Sequence, residues 1–383
     1  MKVCVLAPRF PYPENGGDVV LINDIMQYFK DIGYDVILLS YYEQGQVCYI
    51  SRHYKNIDKI IAIKRNKFSS FFYSLFFFLL RKPIQCGYYF SKKMRQALSS
   101  VNEKYCPNLY VCHLLRMLPH FEALGIRENV IVQMTDILSD TYSLSKAANR
   151  SLMKKLIYKL ERLPMKRYED YVVHTYPKVV LVSKKDKNRY CNIPSVCCHN
   201  NGIREVMIAD RVDTNKIVFV GNMRTLQNID ACIYFINRIF PKILLKNSSA
   251  ILHIVGADPS RAIFNLQNTN IKVTGYVENV TKYIQDAVVS VAPIRVASGI
   301  QNKVLISMAA HVPVVLSSLI SGGVPELINK VNCFIEDDPD IFAQRVVDLM
   351  SNPKMRNDFA DKAMDIVKMN YYWNIHLQGY EII

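Results

Sequence analysis

An α/β fold of two doubly wound domains is what this sequence predicts, and three observations carry the expectation. Short apolar, β-branched runs recur along the chain and alternate with stretches of helical apolar spacing. The strand-to-helix opening at the N-terminus starts afresh near Lys216. With 383 residues, half of them apolar, the chain is long enough for two domains that each bury a core.

Composition narrows the function. Lys and Arg number 48 against 33 Asp and Glu, a formal net charge of +15, which implies an acidic partner. Nucleic acid, an anionic membrane surface and a phosphorylated substrate all qualify. Nucleic acid is the weakest of the three, because the cations are dispersed and no recognisable binding motif appears. The 10 cysteines are scattered without a C-x-x-C pair and read as reduced core residues of a cytosolic protein. Lys2 to Ala7 reads as a strand and not as a signal peptide, and no apolar run reaches the roughly 18 residues of a membrane span. A cytoplasmic location is expected.

Taken in order, the strand Lys2 to Ala7 is followed by the turn-forming loop Pro8 to Gly17 and a helix from Asp18 to Ile32, which Gly33 closes before a strand at Asp35 to Ser40. The loop is not G-x-G-x-x-G, so no dinucleotide site is supported there. Gly16 and Gly17 mark either a flexible connector or a place where backbone approaches a ligand. Residues 64 to 83 hold seven Phe or Tyr and three Leu between five basic residues. That composition fits a helix lying in a headgroup region or a helix buried in the core, with the cationic flanks favouring the membrane. His113 and Arg116 fall near the carboxyl end of a strand, and a second strand runs into Asp136. At a sheet's carboxyl edge His113 is either a satisfied structural residue or a catalytic one. Residues 151 to 176 read as a basic helix or pair of helices broken near Pro164, with Glu161, Arg162, Arg167 and Glu169 in solvated pairs.

The second domain opens on the strand Lys216 to Val220, the turn Gly221-Asn222 and a helix from about Asn228 to Lys246. Further strands are expected at Ala250 to Val255, Ile271 to Val273, Val288 to Ala292 and Pro313 to Leu316. Between the last two lie Arg295, Ser298, Gly299, Ile300, Gln301, Asn302 and Lys303, then a helix bearing Val304, Leu305, Met308 and Ala309. A helix N-terminus at a sheet's carboxyl edge, flanked by Arg295 and Lys303, supplies the parts that hold a diphosphate.

This stretch resembles the donor-site segment of family 4 glycosyltransferases of bacterial polysaccharide biosynthesis, P-x-R-x-x-x-G-I-Q-N-K-V-L-E-A-M-A followed by P-V-V. Ile306 stands where that family has a glutamate, and Ser298 replaces the other carboxylate of its E-x7-E pair. The Pro8 to Gly17 loop, the run Asp136-Ile-Leu-Ser139, Asn201-Gly202-Ile203, the Val218-to-Met223 stretch and Tyr372-Trp373 are similar to family segments as well. The resemblance implies two Rossmann-like domains facing each other across a cleft, the GT-B arrangement. Residues 1–204 would bind the acceptor, 205–368 the nucleotide-sugar, and 369–383 would pack back towards the first domain. It further implies transfer of a sugar from a UDP- or GDP-sugar to a saccharide carried on a lipid, with retention and without a metal or other cofactor, at the inner face of the cell membrane. His113 and Asp136 would be catalytic. Gly16, Gly17 and Arg116 would line the acceptor and sugar side, and Gly221, Asn222, Arg224, Arg295, Gly299, Ile300, Gln301, Asn302 and Lys303 would hold the donor. The missing glutamate motivates an alternative, a catalytically silent GT-B protein that binds membrane or glycan within a polysaccharide complex.

Overall fold

The computed structural model describes residues 1–14, 17–140, 142, 152–182, 184–199, 202–208, 214–223, 225–277, 279–295 and 301–383. The chain forms two compact units, Met1–Asn201 with His376–Ile383, and Gly202–Ile375.

The first unit is built on seven parallel strands: β1 (Lys2–Ala7), β2 (Asp35–Tyr42), β3 (Lys59–Lys64), β4 (Leu109–His113), β5 (Val130–Thr135), β6 (Lys178–Leu181) and β7 (Val196–Cys198), in the order β3-β2-β1-β4-β5-β6-β7. The second has six: β8 (Lys216–Val220), β9 (Ile251–Val255), β10 (Ile271–Gly275), β11 (Val289–Ala292), β12 (Val314–Leu316) and β13 (Phe334–Ile335), in the order β10-β9-β8-β11-β12-β13. Helices cover both faces of such sheets, so the central strands read as continuous apolar runs. Val3 to Leu6 and Ile217 to Phe219 are fully buried. In both sheets the first strand is internal, so successive connections leave it in opposite directions and a crevice opens at the carboxyl edge. The crevices lie between β1 and β4 and between β8 and β11.

Helices α1 (Gly17–Asp31), α2 (Lys67–Leu79), α3 (Ile84–Tyr89), α4 (Lys92–Tyr105) and α5 (Leu152–Thr175) belong to the first unit. The expected helix from Asn228 to Lys246 begins as α6 (Leu226–Tyr234) and continues through a π-helical turn, Phe235–Ile239, into Phe240–Lys246. The donor-segment helix is α7 (Asn302–Ala309), and α8 (Pro339–Ser351) and α9 (Pro353–Asn370) follow. The C-terminal segment docks on the first unit through polar contacts. Lys178 Nζ donates to the carbonyls of Gly379 (2.7 Å) and Ile382 (2.8 Å), and the buried Tyr380 hydroxyl donates to Gln133 Oε1 at 2.7 Å.

Two expectations for α5 are overturned. The helix runs on through Pro164 without a break. Met165, Val172 and Val173 beyond the proline are fully buried, and their packing offsets the lost backbone bond, a penalty of about 3 kcal/mol. Glu161 and Glu169 are not in solvated pairs but buried, because each serves backbone N–H groups. Glu161 accepts from the N–H of Ile84 (2.7 Å) and Gln85 (2.9 Å) at the start of α3, and Glu169 accepts from Ser139 N–H (3.0 Å) and Oγ (2.5 Å). Burial raises both carboxyl pKa values, and these bonds act against it. The cysteines divide: Cys4, Cys86, Cys112, Cys232 and Cys333 are buried, whereas Cys48, Cys106 and Cys191 are exposed, so the core reading holds for only part of the set.

Helices α2 and α3 approach closely at Gly87, where an added Cβ would overlap the backbone carbonyl of Tyr73 and press on Phe77. Gly87→Ala should therefore destabilise the first unit by about 1 to 3 kcal/mol. Urea unfolding of the two proteins checks this, and an unchanged midpoint would mean that α2 is loosely attached.

Candidate functional site

In the first unit the loop after β1 and the end of β4 bring ionisable groups together beneath the N-terminus of α1. His113, the last residue of β4, is 2% exposed, with the backbone of Asp18 beside its ring. Burial lowers its pKa to about 4; the Asp18 carboxylate opposes the shift and the Arg9 and Arg116 guanidinium groups add to it. The ring is therefore neutral near pH 7. Asp18, in the first turn of α1, is ion-paired with Arg9. Gly17 begins α1 and has no heavy atom within 4 Å of the place a Cβ would take, so the space there is open. Arg116 follows in the turn after β4, with its guanidinium 5.3 Å from the centre of the Tyr89 ring. Asp136 follows β5, the neighbour of β4, and desolvation raises its carboxyl pKa although the residue retains exposed surface. Both strands leave the sheet through strained residues: Leu114 and the β-branched Thr135 each have φ of 69°. Such geometry costs on the order of 1 to 3 kcal/mol and gathers at functional sites.

Beside this cluster is a pocket of about 490 Å³, walled by Pro8, Arg9, Phe10 and Pro13 of the first loop, by Tyr41, Tyr42, Glu43 and Gln46, and by Arg65 and Tyr89. Its frame is fixed by polar bonds. Gln46 Nε2 donates to the carbonyls of Phe10 (3.0 Å) and Tyr12 (2.9 Å), the Tyr41 hydroxyl donates to Tyr89 O at 2.7 Å, and Arg65 pairs with Glu43 at 2.7 Å. Its walls thus combine aromatic faces with a few fixed charges.

In the second unit the turn after β8 and the loop after β11 meet at Asn228. This side chain donates through Nδ2 to the Asn222 carbonyl at 2.9 Å and accepts from Lys303 Nζ through Oδ1. Lys303, in the first turn of α7, is partly buried, and desolvation pushes its pKa down to about 8. Gln301 is the residue preceding α7 and does not cap it through its side chain, while Asn302 Oδ1 is buried without a partner among the described residues. Arg295 is less available than its sequence position suggests. Its guanidinium forks onto Asp230 (2.6 and 3.1 Å) and lies 4.3 Å from the Tyr234 ring centre, so an existing carboxylate already balances its charge. Gly221 has a packing reason to be glycine: a Cβ would meet the Asn228 amide, and a Cβ on Gly256 would overlap the Gly221 carbonyl. Gly16, Arg224, Gly299 and Ile300, like Ser298, lie outside the described residues.

Around the missing glutamate α7 is closed off from solvent on its inner side. Ser307, the neighbour of Ile306, is fully buried, its Oγ 2.8 Å from Ser290 Oγ and from the Lys303 carbonyl. Ile306 packs against apolar clusters on both sides of α7. Asn302, expected among the donor-holding residues, keeps its orphaned Oδ1 in the first turn of α7. Sequence reasoning passed over Asn228, Asp230, Arg9, Asp18, Glu43 and Arg65. Only Asn228 and Asp230 carried a signal, in the Asn228-Ile-Asp230-Ala231 run that follows the family-like Val218-to-Met223 stretch.

Residues 214–352 match the family model described as Glycosyl transferases group 1. The matched stretch, most of the second unit, is thus similar to group 1 glycosyltransferases. A Klebsiella pneumoniae protein described as an uncharacterized 44.6 kDa protein in the cps region is 21% identical to this glycosyltransferase-like chain over 397 residues, covering 97% of the chain and 96% of its own length. Among solved structures, Anabaena HepE in complex with UDP is similar with a TM-score of 0.64 and 11% identity, covering 99% of this chain and 98% of that one. S. aureus TarM in complex with UDP and alpha-GlcNAc-glycerol gives 0.66 and 11%, with 99% of each chain covered. At these identities the likeness shows the fold, which is that of the GT-B glycosyltransferases.

The desolvated ammonium is directly measurable. The Lys303 Nζ resonance in heteronuclear NMR of the ligand-free protein should titrate at about 8. Titration near the ordinary lysine value of roughly 10.4 would instead place that ammonium in water.

Proposed function

We propose that the protein is a glycosyltransferase of surface polysaccharide biosynthesis that moves a sugar from a nucleotide-sugar to a lipid-linked saccharide at the inner face of the cell membrane. Lys303 is the observation that carries this reading: a desolvated ammonium with an amide as its partner, at the N-terminus of a helix and at the switch point of a parallel sheet. When the bond from the anomeric carbon to the diphosphate oxygen breaks, negative charge grows on the leaving group. A cation already stripped of water stabilises that charge more than a hydrated one does. Arg295 joins by exchanging Asp230 for phosphate, and Asn302 Oδ1 accepts a ribose hydroxyl. The acceptor hydroxyl attacks on the face from which the diphosphate departs and passes its proton to that leaving oxygen, so configuration is retained. Within the first unit, the neutral His113 ring, the Asp136 carboxyl and the pocket beside Arg9 and Arg65 serve the acceptor. With fixed cations on the diphosphate, no metal or other cofactor is required, and activity should persist in EDTA.

UDP is the first nucleotide to test, since HepE and TarM were each obtained with it. Calorimetry with UDP and GDP should show Lys303→Ala weakening binding by about 1.5 to 3 kcal/mol, and Arg295→Ala by less because Asp230 already neutralises it. The sign of the pH effect follows from the lowered pKa. Between about pH 7 and pH 9 Lys303 goes from roughly nine-tenths to one-tenth charged, so affinity falls as pH rises, and Lys303→Arg should remove the fall. Full affinity in Lys303→Ala would remove this site assignment.

The packing of Ile306 among apolar side chains supports the second reading, a silent GT-B partner in a polysaccharide complex. Ile306→Glu decides between them. Tighter UDP-sugar binding is expected if the donor pocket operates, whereas no nucleotide-sugar affinity in either protein would favour the silent partner.

A further inference from the structure

Helix α2 is amphipathic the wrong way round for a monomer in water. Phe68, Phe71, Phe72, Leu75, Phe76 and Leu79 recur at helical spacing, and all are exposed, Phe68 at 82%, Phe72 at 66% and Leu79 at 70%. The opposite face, which packs on α3, carries Ser70, Tyr73, Ser74 and Phe77. Small side chains there and Gly87 on α3 allow the helices to touch backbone to backbone, which fixes the aromatic stripe outward. The N-terminus is held as well, since Asn66 accepts from the N–H groups of Phe68 and Ser69. This capped helix shows its most apolar surface to solvent. A stripe of this kind on a soluble chain marks a contact surface.

Charge identifies what covers it. From Lys59 to Asn102 the sequence contains nine Lys or Arg and no Asp or Glu. Lys64 and Lys67 stand exposed at one end of the helix and Arg81 and Lys82 at the other. The neighbouring α5, tied to the start of α3 through Glu161, adds exposed Lys159, Arg162 and Lys166. A two-fold contact between copies of this chain would set these cations against themselves. An anionic lipid surface instead offers headgroups to the cations and acyl chains to the rings.

We infer that α2 is the membrane-docking element of this protein, lying in the interface of an anionic bilayer with its Phe/Leu stripe inserted and its flanking cations at headgroup depth. The inference builds on the lipid-linked acceptor proposed above and names the surface that brings the enzyme to it. Arg65, one residue before the cap of α2, also walls the pocket of the first unit. Docking through α2 therefore puts that pocket beside the headgroup layer, where the phosphate and first sugars of a lipid-linked acceptor reside.

Flotation of the full-length protein with vesicles of phosphatidylglycerol and phosphatidylcholine, and with phosphatidylcholine alone, tests the inference. The protein should float with the anionic vesicles at about 0.05 M salt and much less at about 0.5 M, where the Debye length falls from roughly 14 to 4 Å. The triple substitution Phe68→Ser, Phe72→Ser, Phe76→Ser should reduce bound protein about tenfold or more while leaving the melting temperature in place, because these side chains contribute no core. Arg81→Gln with Lys82→Gln should weaken binding at low salt and leave the high-salt remainder unchanged. A protein that stays with the soluble fraction under all these conditions overturns the inference. So does a wild-type dimer in sedimentation velocity that the triple variant converts to monomer without any vesicle binding. UDP affinity, measured without lipid, reports on the donor reading separately, so the two can fail independently.

Discussion

The arrangement of both units follows from one constraint: a parallel sheet must bury both faces, and its strands must be joined by right-handed crossovers. Once the first strand of a unit lies inside the sheet, the chain has to wind outward from it in both directions. The two loops at the carboxyl ends of the central pair then diverge to opposite faces. Between β1 and β4 this leaves the space around Arg9, Asp18 and His113, and between β8 and β11 the space around Asn222, Asn228 and Lys303. Residues far apart in sequence become neighbours there because their strands do. The strain at Leu114 and Thr135 sits at the same edge, where two adjacent strands have to turn away from the sheet.

Charge at these edges is handled in two ways. Arg9 with Asp18, Arg65 with Glu43 and Arg295 with Asp230 are ion pairs at or near the surface. Pairs of this kind contribute about 0 to 1 kcal/mol, so a phosphate that arrives in place of the carboxylate has little to displace. Lys303 is held differently, by the Asn228 amide, with its pKa depressed by lost water. An amide dipole compensates a charge less than a carboxylate does. The residual field is available to an anion.

How much of this was legible in the sequence depends on range. Strands buried on both faces announce themselves as apolar runs, and the order strand, polar loop, helix around Arg295 and Lys303 is local, so the fold class and the start of α7 after β11 were readable. Asp230 and Asn228 meet those cations only because β8 and β11 are neighbours in the sheet, and strand order is not written in any single window. Glu161 and Glu169 were misread for a related reason. Helical spacing shows which face a carboxylate occupies but not that the N–H groups of Ile84, Gln85 and Ser139 wait opposite it. Pro164 misled because a local penalty of about 3 kcal/mol is visible in sequence, whereas the burial that outweighs it is not.

Composition also could not assign a face to α2, because a helix with Phe, Tyr and Leu almost all round fits a core as well as a surface. What settles the orientation is the smaller side chains. Ser70 and Gly87 allow α2 and α3 to approach more closely than two Phe-lined faces could, and the short turn through Arg81 and Lys82 to Pro83 keeps the pair antiparallel. The bulky rings are thereby excluded from the contact and left outside. The hydrophobic effect thus acts in two stages on one helix. Phe77 and Tyr73 attach it to the protein, and the stripe from Phe68 to Leu79 remains unsatisfied until a second apolar phase meets it.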